Sequence, residues 1–416
     1  MTATMPRVRP AIASSGWPWE GAPDLPDTHY LDNRIYTDAA VFGREQQRIF
    51  QAQWKFVCHA SELPAIGSYR TTQVGGTPLV VLRDEEGTLR AFVNICPHRG
   101  ATLVRDSHGT LPGNRLRCFY HHWTFSSQGQ CVTVPLPHAY ANTPIQADRI
   151  QLREAELDQH LGLVFVRLRA PAHAAPSLRE FLGPVLDTLT EPLADLEVFH
   201  FHAVDVKANW KSFVETNAEG YHELLHRLNR TTGLSQPEYL KRQWWLHPHG
   251  HHTFAPAQIA YDKLRLGSRD HDTLPGMTAN QHIVADIFPD VMVNARSTVV
   301  RIDALIPLAP GLTRLECRGL APRSDSAEQR RQRVRQHNEV WGPLGRNLPE
   351  DIWAIETQWQ NLISGALPYS ILAREDQQQA TDDAPVRRFY EEWRRLTGLP
   401  SHQLVTPLPE VADDAR

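Results

Sequence analysis

Two short segments of the chain pair a thiol with an imidazole. Cys96-Pro97-His98-Arg99-Gly100 has Cys-x-His spacing, and Cys118-Phe119-Tyr120-His121-His122-Trp123 has Cys-x2-His spacing. Each pair, on a tight loop, can aim one soft thiolate and one imidazole at a common centre. The 19 residues between His98 and Cys118 suffice for a hairpin that brings the two loops face to face. A second group lies in Asn209–Arg230 (NWKSFVETNAEGYHELLHRLNR), where His222 and His226 are four apart and so predicted on one face of a helix over 211–228, close enough to grip one ion. Glu219 stands one turn earlier, and Leu348-Pro349-Glu350-Asp351-Ile352 offers a carboxylate at the start of a later helix. Two histidines and one carboxylate, His222, His226 and Asp351, make the facial triad that leaves positions open on Fe(II) for O2 and substrate.

Two cysteines and two histidines could also hold zinc, but zinc spacings usually place like ligands close together in sequence. Here each loop supplies one of each. That suits a cluster with two inequivalent irons, one on thiolates and the other on imidazoles, which is the Rieske [2Fe–2S] arrangement. Neutral imidazoles in place of anionic thiolates raise its reduction potential. The remaining cysteines, Cys58, Cys131 and Cys317, lack such neighbours and read as small buried residues. His222-Glu223-Leu224-Leu225-His226 also matches H-E-x-x-H, with Glu223 as the general base of a zinc peptidase. A peptidase gives the Cys/His pairs no use, whereas an iron oxygenase uses both motifs.

The elements that must position these residues follow from periodicity. The segment from Asp38 to Trp54 reads as an amphipathic helix. From 54 to 168, short runs rich in Val, Thr and aromatics, among them Pro78–Arg83, Arg90–Asn94 and Leu163–Val166, read as an all-β domain. Pro171–Pro176 is a linker, and helical spacing returns over 178–189. The rest alternates helices (211–228, 326–341, 350–362, 384–397) with strands at 298–307 and 313–320, an α+β domain. Residues 370–383 read as a surface loop, the histidines of 247–252 as a polar strand end, and Arg330–Arg335 as a solvated helix face. Trp244, Trp245, Trp353 and Trp359 read as core or subunit contacts.

With 43 Lys+Arg against 47 Asp+Glu, the net charge of −4 offers no basic surplus for nucleic acid. Twenty-one histidines beside five cysteines favour metal ligation in a reducing compartment over disulfides. Residues 1–25 lack the apolar run of a signal peptide, and no stretch is apolar enough to span a membrane. The expectation is a cytoplasmic protein without nucleic-acid or membrane partners.

These residues resemble the large α subunit of Rieske non-heme iron aromatic-ring-hydroxylating oxygenases. The resemblance runs from about Tyr36 to Gly398 through Trp54–Pro64, both Cys/His loops, Asn209-Trp210-Lys211, Glu219–His222 and Glu350-Asp351. Gly342-Pro343-Leu344-Gly345, preceded by Ser326–Asn338, is most similar to the terephthalate, salicylate and anthranilate type. It implies an N-terminal tail and helix (1–53) packed on the catalytic domain, a Rieske domain (54–168), and a helix-grip catalytic domain with an antiparallel sheet (169–416). It further implies a cluster on Cys96, His98, Cys118 and His121, Fe(II) on His222, His226 and Asp351, and a Glu219 that links His222 to His121 of a neighbouring subunit. A homotrimer, or an α3β3 assembly with a small β subunit, is implied as well.

The activity so implied is hydroxylation or dihydroxylation of an aromatic, carboxylated substrate with O2. Electrons from NAD(P)H come through a separate reductase or ferredoxin, since the chain has no G-x-G-x-x-G after a strand. An alkylsulfonate or quaternary amine is the alternative substrate class. Three positions depart from the family pattern: three residues rather than four separate His222 from His226, Glu219 replaces an Asp, and His122 stands where Gly or Ala usually follows the second cluster histidine.

Overall fold

Short runs rich in Val, Thr, Leu and aromatics in Lys55–His59, Ser68–Val74, Thr77–Arg83, Leu89–Val93 and Leu163–Arg167, buried over most of their length, build one antiparallel sheet. Its seven strands run in the order Lys55–His59, Leu163–Arg167, Glu154–His160, Leu89–Val93, Thr77–Arg83, Ser68–Val74, His108–Thr110. A three-stranded sheet of Arg115–Arg117, Thr124–Ser126 and Cys131–Thr133 lies with it. The computed structural model describes residues 19, 21–143, 145–169, 175–227, 237–258, 273–340, 345, 347–375, 378–405 and 408. Most of the linker over 171–176 and the Gly342-Pro343-Leu344 segment lie outside them.

The second large sheet is also antiparallel and seven-stranded. Its order is Leu196–Val206, Leu312–Pro322, Val299–Ala309, Val291–Arg296, Gln281–Ile287, His252–Gln258, Trp244–Leu246. Only two of these strands are legible as strands in the sequence. Of the others, Gln281–Ile287 and Val291–Arg296 are buried on both faces and carry His282, Asp286 and Asn294 inside, so alternation is masked. Ile283, Val293, Ile302 and Leu320 turn one face toward Trp54, Phe56 and Phe165 of the first domain. The other face, with Cys317, Leu315 and Leu305, packs against Trp210, Leu348 and Ile355 of the helices. Two buried ion pairs lock the domains together, Lys55 to Asp290 at 3.0 Å and Arg318 to Glu62 at 2.8 Å.

Several surface expectations are corrected. Over 370–383, Tyr369–Ile371 pairs with Tyr30–Asp32, and Ala380 and Asp382 are buried, so this is structural rather than a loose loop. Arg333 in the basic helix is buried on Asp325 at 2.8 Å, because that helix face packs on the sheet. His251 and His252 are buried, His252 lying 3.1 Å from Asp286. Trp244 is core as expected, stacked on Phe254, and Trp353, 69% exposed, lies outside the core.

The N-terminal helices Arg34–Thr37 and Ala39–Glu45 continue into a wide turn, Gln46–Phe50, that packs in the catalytic core through Ile35, Val41, Ile49 and Phe50. Glu45 is fully buried there. Its carboxylate accepts from Lys211 Nζ (2.6 Å), Trp393 Nε1 (2.7 Å) and Trp210 Nε1 (2.9 Å). Glu45→Ala strands the Lys211 ammonium in the core and is expected to lower the unfolding free energy by about 3–5 kcal/mol. Urea unfolding followed by tryptophan fluorescence measures this; an unchanged midpoint would contradict the burial of the pair.

Candidate metal centres

The two Cys/His loops are built alike. In each, the cysteine N–H donates to the carbonyl five residues on (Cys96 to Ala101, 2.8 Å; Cys118 to Trp123, 2.9 Å). In each, the N–H four residues on returns to the cysteine carbonyl (Gly100, 2.9 Å; His122, 3.0 Å). Closing such a turn takes a left-handed residue, and Gly100 (φ +76°) and His122 (φ +58°) both supply it. That explains why glycine suits the position His122 occupies, and why an imidazole there is exposed rather than aimed inward.

The second loop is the turn between Arg115–Arg117 and Thr124–Ser126, and it lies against the first. Cys96 and Cys118 are buried, and their thiols are within hydrogen-bonding reach; burial first, then the neighbouring thiol, pushes Cys96 up to about 11. The His98 and His121 rings lie 4.6 Å apart. His98 is stacked on Trp123, its Nε2 is 3.2 Å from the Tyr140 hydroxyl, and its Nδ1 is buried without a hydrogen-bond partner. Among the described residues, none of these four belongs to a group of three donors within 4.8 Å of one another, as a single tetrahedral ion requires. Thiols paired with thiols and imidazoles with imidazoles fit a two-metal cluster and not one zinc.

The second centre does gather. His222, His226 and Asp351 bring one ligand atom each within 4.8 Å of one another. Asp351 Oδ1 is 3.1 Å from His226 Nε2 and 3.8 Å from His222 Nε2. The route to this geometry corrects the expected helix over 211–228. The α-helix Trp210–Asn217 stops, and Tyr221–Arg227 is wound as 3-10 turns, in which residues four apart do not share a face. The break is at Gly220, whose N–H is taken by Ala380 O at 2.9 Å. A methyl group at Gly220 would lie 2.4 Å from that oxygen.

Carboxylates orient both imidazoles. His222 Nδ1 is 2.9 Å from Glu219 Oε1, and Glu219 also accepts the backbone N–H groups of Tyr221 and His222. His226 Nδ1 is 2.7 Å from Glu350 Oε2. With Nδ1–H donated outward, each Nε2 lone pair faces Asp351. Glu350 is the residue whose role sequence reasoning missed; its adjacency to Asp351 was the only signal. Burial pulls His222 down, but the hydrogen bond and charge of Glu219, with Asp351 and Glu223, outweigh it and lift the imidazole to about 10. So anionic a pocket calls for a cation. Glu223, the base of the peptidase alternative, accepts the Tyr239 hydroxyl at 2.7 Å.

Glu219 borders an open cleft of about 590 Å³ lined also by Tyr221, Glu215 and Gln358. Three arginines stand on inner strands of the catalytic sheet, and of these Arg318 points to the first domain and its Glu62. Arg301 grips Asp303 on the catalytic face of the sheet and feels the charge of Asp351. Arg296, next along that face, is half-buried within the field of Glu223, and desolvation pulls it down to about 9.

Gly220→Ala is expected to push the His222–His226 segment off Ala380 and cut divalent-metal occupancy of the triad several-fold. Metal analysis of the purified variant reads this directly, and full occupancy would contradict the close approach.

Two family descriptions match the chain: the Rieske [2Fe-2S] domain over residues 53–146 and the ring hydroxylating alpha subunit catalytic domain over residues 193–398. The 2-aminobenzenesulfonate 2,3-dioxygenase subunit alpha of Alcaligenes sp. is 40% identical over 92% of this chain and 97% of its own. The methanesulfonate monooxygenase hydroxylase subunit alpha of Methylosulfonomonas methylovora is 32% identical over 95% and 98%. The fold is shared with naphthalene 1,2-dioxygenase from Rhodococcus sp., with a TM-score of 0.74 at 22% identity over 88% of this chain and 94% of that one.

Proposed function

The chain belongs to the alpha subunits of Rieske ring-hydroxylating oxygenases, and from that premise we propose that this terminal oxygenase acts on an organic acid, an aromatic sulfonate before a carboxylate. The observation that carries the oxygenase reading is the convergence of His222, His226 and Asp351 in a chain that also faces two thiols and two imidazoles in separate pairs. Family membership replaces the zinc-peptidase alternative. No helix of the described residues is long and apolar enough to cross a membrane.

Its cofactors are a [2Fe–2S] cluster and a mononuclear iron. We assign Cys96 and Cys118 to one iron of the cluster, His98 and His121 to the other, and His222, His226 and Asp351 to the mononuclear Fe(II). When bound, the two groups supply one-electron transfer and activation of O2 beside the substrate. Glu219 and Glu350 hold the two imidazoles in the tautomer that presents Nε2. We further assign Glu219, at the edge of its open cleft, as the link from His222 to His121 of the partner subunit in a trimer, with or without a small β subunit. Phe119 and Tyr120, exposed beside His121, supply apolar surface for that docking. Electrons enter from a separate reductase, directly or through a ferredoxin. We divide the chain into 1–53, 54–168 and 169–416, a reading that the separate seven-stranded sheets support.

The substrate class rests on Arg296. A half-buried guanidinium on the catalytic face of the sheet, within the field of Glu223, suits a sulfonate or carboxylate, which it can bind with two parallel hydrogen bonds. The relatives named for aminobenzenesulfonate and methanesulfonate support the sulfonate. The second of them favours an alkylsulfonate as a second reading.

With a reductase supplied, aryl sulfonates are expected to stimulate O2 uptake and yield hydroxylated product. Turnover of neutral arenes alone would overturn the anionic reading. Asp351→Ala should keep the cluster's visible and EPR spectra while losing the third iron and all product; loss of the cluster spectrum instead would contradict the assignment. Arg296→Gln should reduce kcat/KM for a sulfonate about tenfold to a hundredfold, the worth of one charge-assisted hydrogen bond. Equal loss for sulfonate and neutral substrates would remove Arg296 from recognition.

A further inference from the structure

A second set of three histidines lies apart from the iron triad. His200 and His202 are two residues apart on the edge strand Leu196–Val206, hence on one face, and His337 comes down onto them from the helix Ala327–Val340. One ring nitrogen from each lies within 4.8 Å of the others. Ring centroids are 5.1 Å (His200 to His337), 5.4 Å (His200 to His202) and 6.2 Å (His202 to His337) apart, and the rings are mutually tilted rather than stacked.

Their hydrogen-bonding state is unusual. His200 Nε2, and both nitrogens of His202 and of His337, are buried with no hydrogen-bond partner in the protein. His337 is wholly enclosed. Buried polar atoms are normally satisfied, and five orphans on three adjacent rings call for an occupant. The fold also makes room for them. Gly319, in the neighbouring strand, has no Cβ, and one there would stand 3.3 Å from the His337 ring and 3.0 Å from Phe199.

The chemistry of the set selects the occupant. Each of the three rings offers a nitrogen without a hydrogen-bond partner that can present a lone pair to a common centre. The nearby Arg301 charge, which would repel a cation, is tied to Asp303, whose own charge is felt at His202. An anion or a polar organic group would meet no donor of fixed charge in the triad itself. Three imidazoles are instead a site for a borderline divalent ion of the zinc class, with a fourth position left for water.

We propose that His200, His202 and His337 form a second mononuclear metal site, holding one zinc-class divalent cation that clamps the helix Ala327–Val340 onto the edge strand of the catalytic sheet. The ion adds to the Arg330–Glu197 ion pair (3.0 Å) that already joins the two elements, and its site is separate from the iron triad.

The test uses the holoprotein with its iron sites full, incubated with zinc sulfate and desalted. Metal analysis is expected to find one zinc per chain beyond the iron, and His202→Gln and His337→Gln should weaken that zinc by more than about 100-fold, above what loss of an outer-shell partner costs, with iron and cluster spectrum unchanged. Substitution with Co2+ in the wild-type protein should give the intense visible bands of a tetrahedral ion, a readout that needs no variant to fold. Failure to retain zinc, zinc that binds only by displacing iron, or zinc retained equally by both variants would overturn the proposal.

Discussion

A single carboxylate with no access to water, Glu45, holds the catalytic domain in register. It is shared by Lys211 and Trp210 at the start of the helix that leads into the His222–His226 turns and by Trp393 of the last long helix. Removing a charge from water is unfavourable unless its partners are close and complete, so the geometry tolerates little slack. Because the helix Trp210–Asn217 is pinned at its first turn, its far end delivers Glu219, Gly220 and His222 to a fixed place. Everything the site does depends on that delivery.

From there, electrostatics divides the catalytic domain. The helical side gathers Glu219, Glu223, Glu350 and Asp351 around two imidazoles, an arrangement whose negative charge a divalent cation would partly offset. The sheet side opposes it with Arg296 and Arg301. This opposition of carboxylates and guanidiniums is the charge pattern on which the proposed anionic substrate rests. Arg318, of the same residue type and only one strand away from Arg301, faces the other way because strand residues alternate in direction.

The chemistry was legible in the sequence where it is local. Cys96, His98, Cys118 and His121 could be read from spacing because each pair sits within one turn. His222 and His226 were also found, but through the wrong element: an i,i+4 argument for an α-helix happened to select two residues that 3-10 turns and a glycine break bring together. Long-range partners were harder. Glu350 acts on a histidine 124 positions away, and His337 meets His200 and His202 across the sheet. The inner strands of the catalytic sheet were missed because buried His, Asp and Arg break the apolar run that marks a strand. The His-x-His alternation at 200–202 was the one sequence signal of the second histidine set.

The central claim is that thiolates and imidazoles form separate pairs on a two-iron cluster, apart from a mononuclear triad. Iron and acid-labile sulfide analysis of the wild-type protein, combined with a redox titration, tests it most directly. The account predicts three irons and two sulfides per chain, with a midpoint potential of about −150 to +300 mV, the range of clusters with two histidine ligands. A zinc-containing protein without labile sulfide, or a cluster near −400 mV as expected for four thiolates, would contradict it.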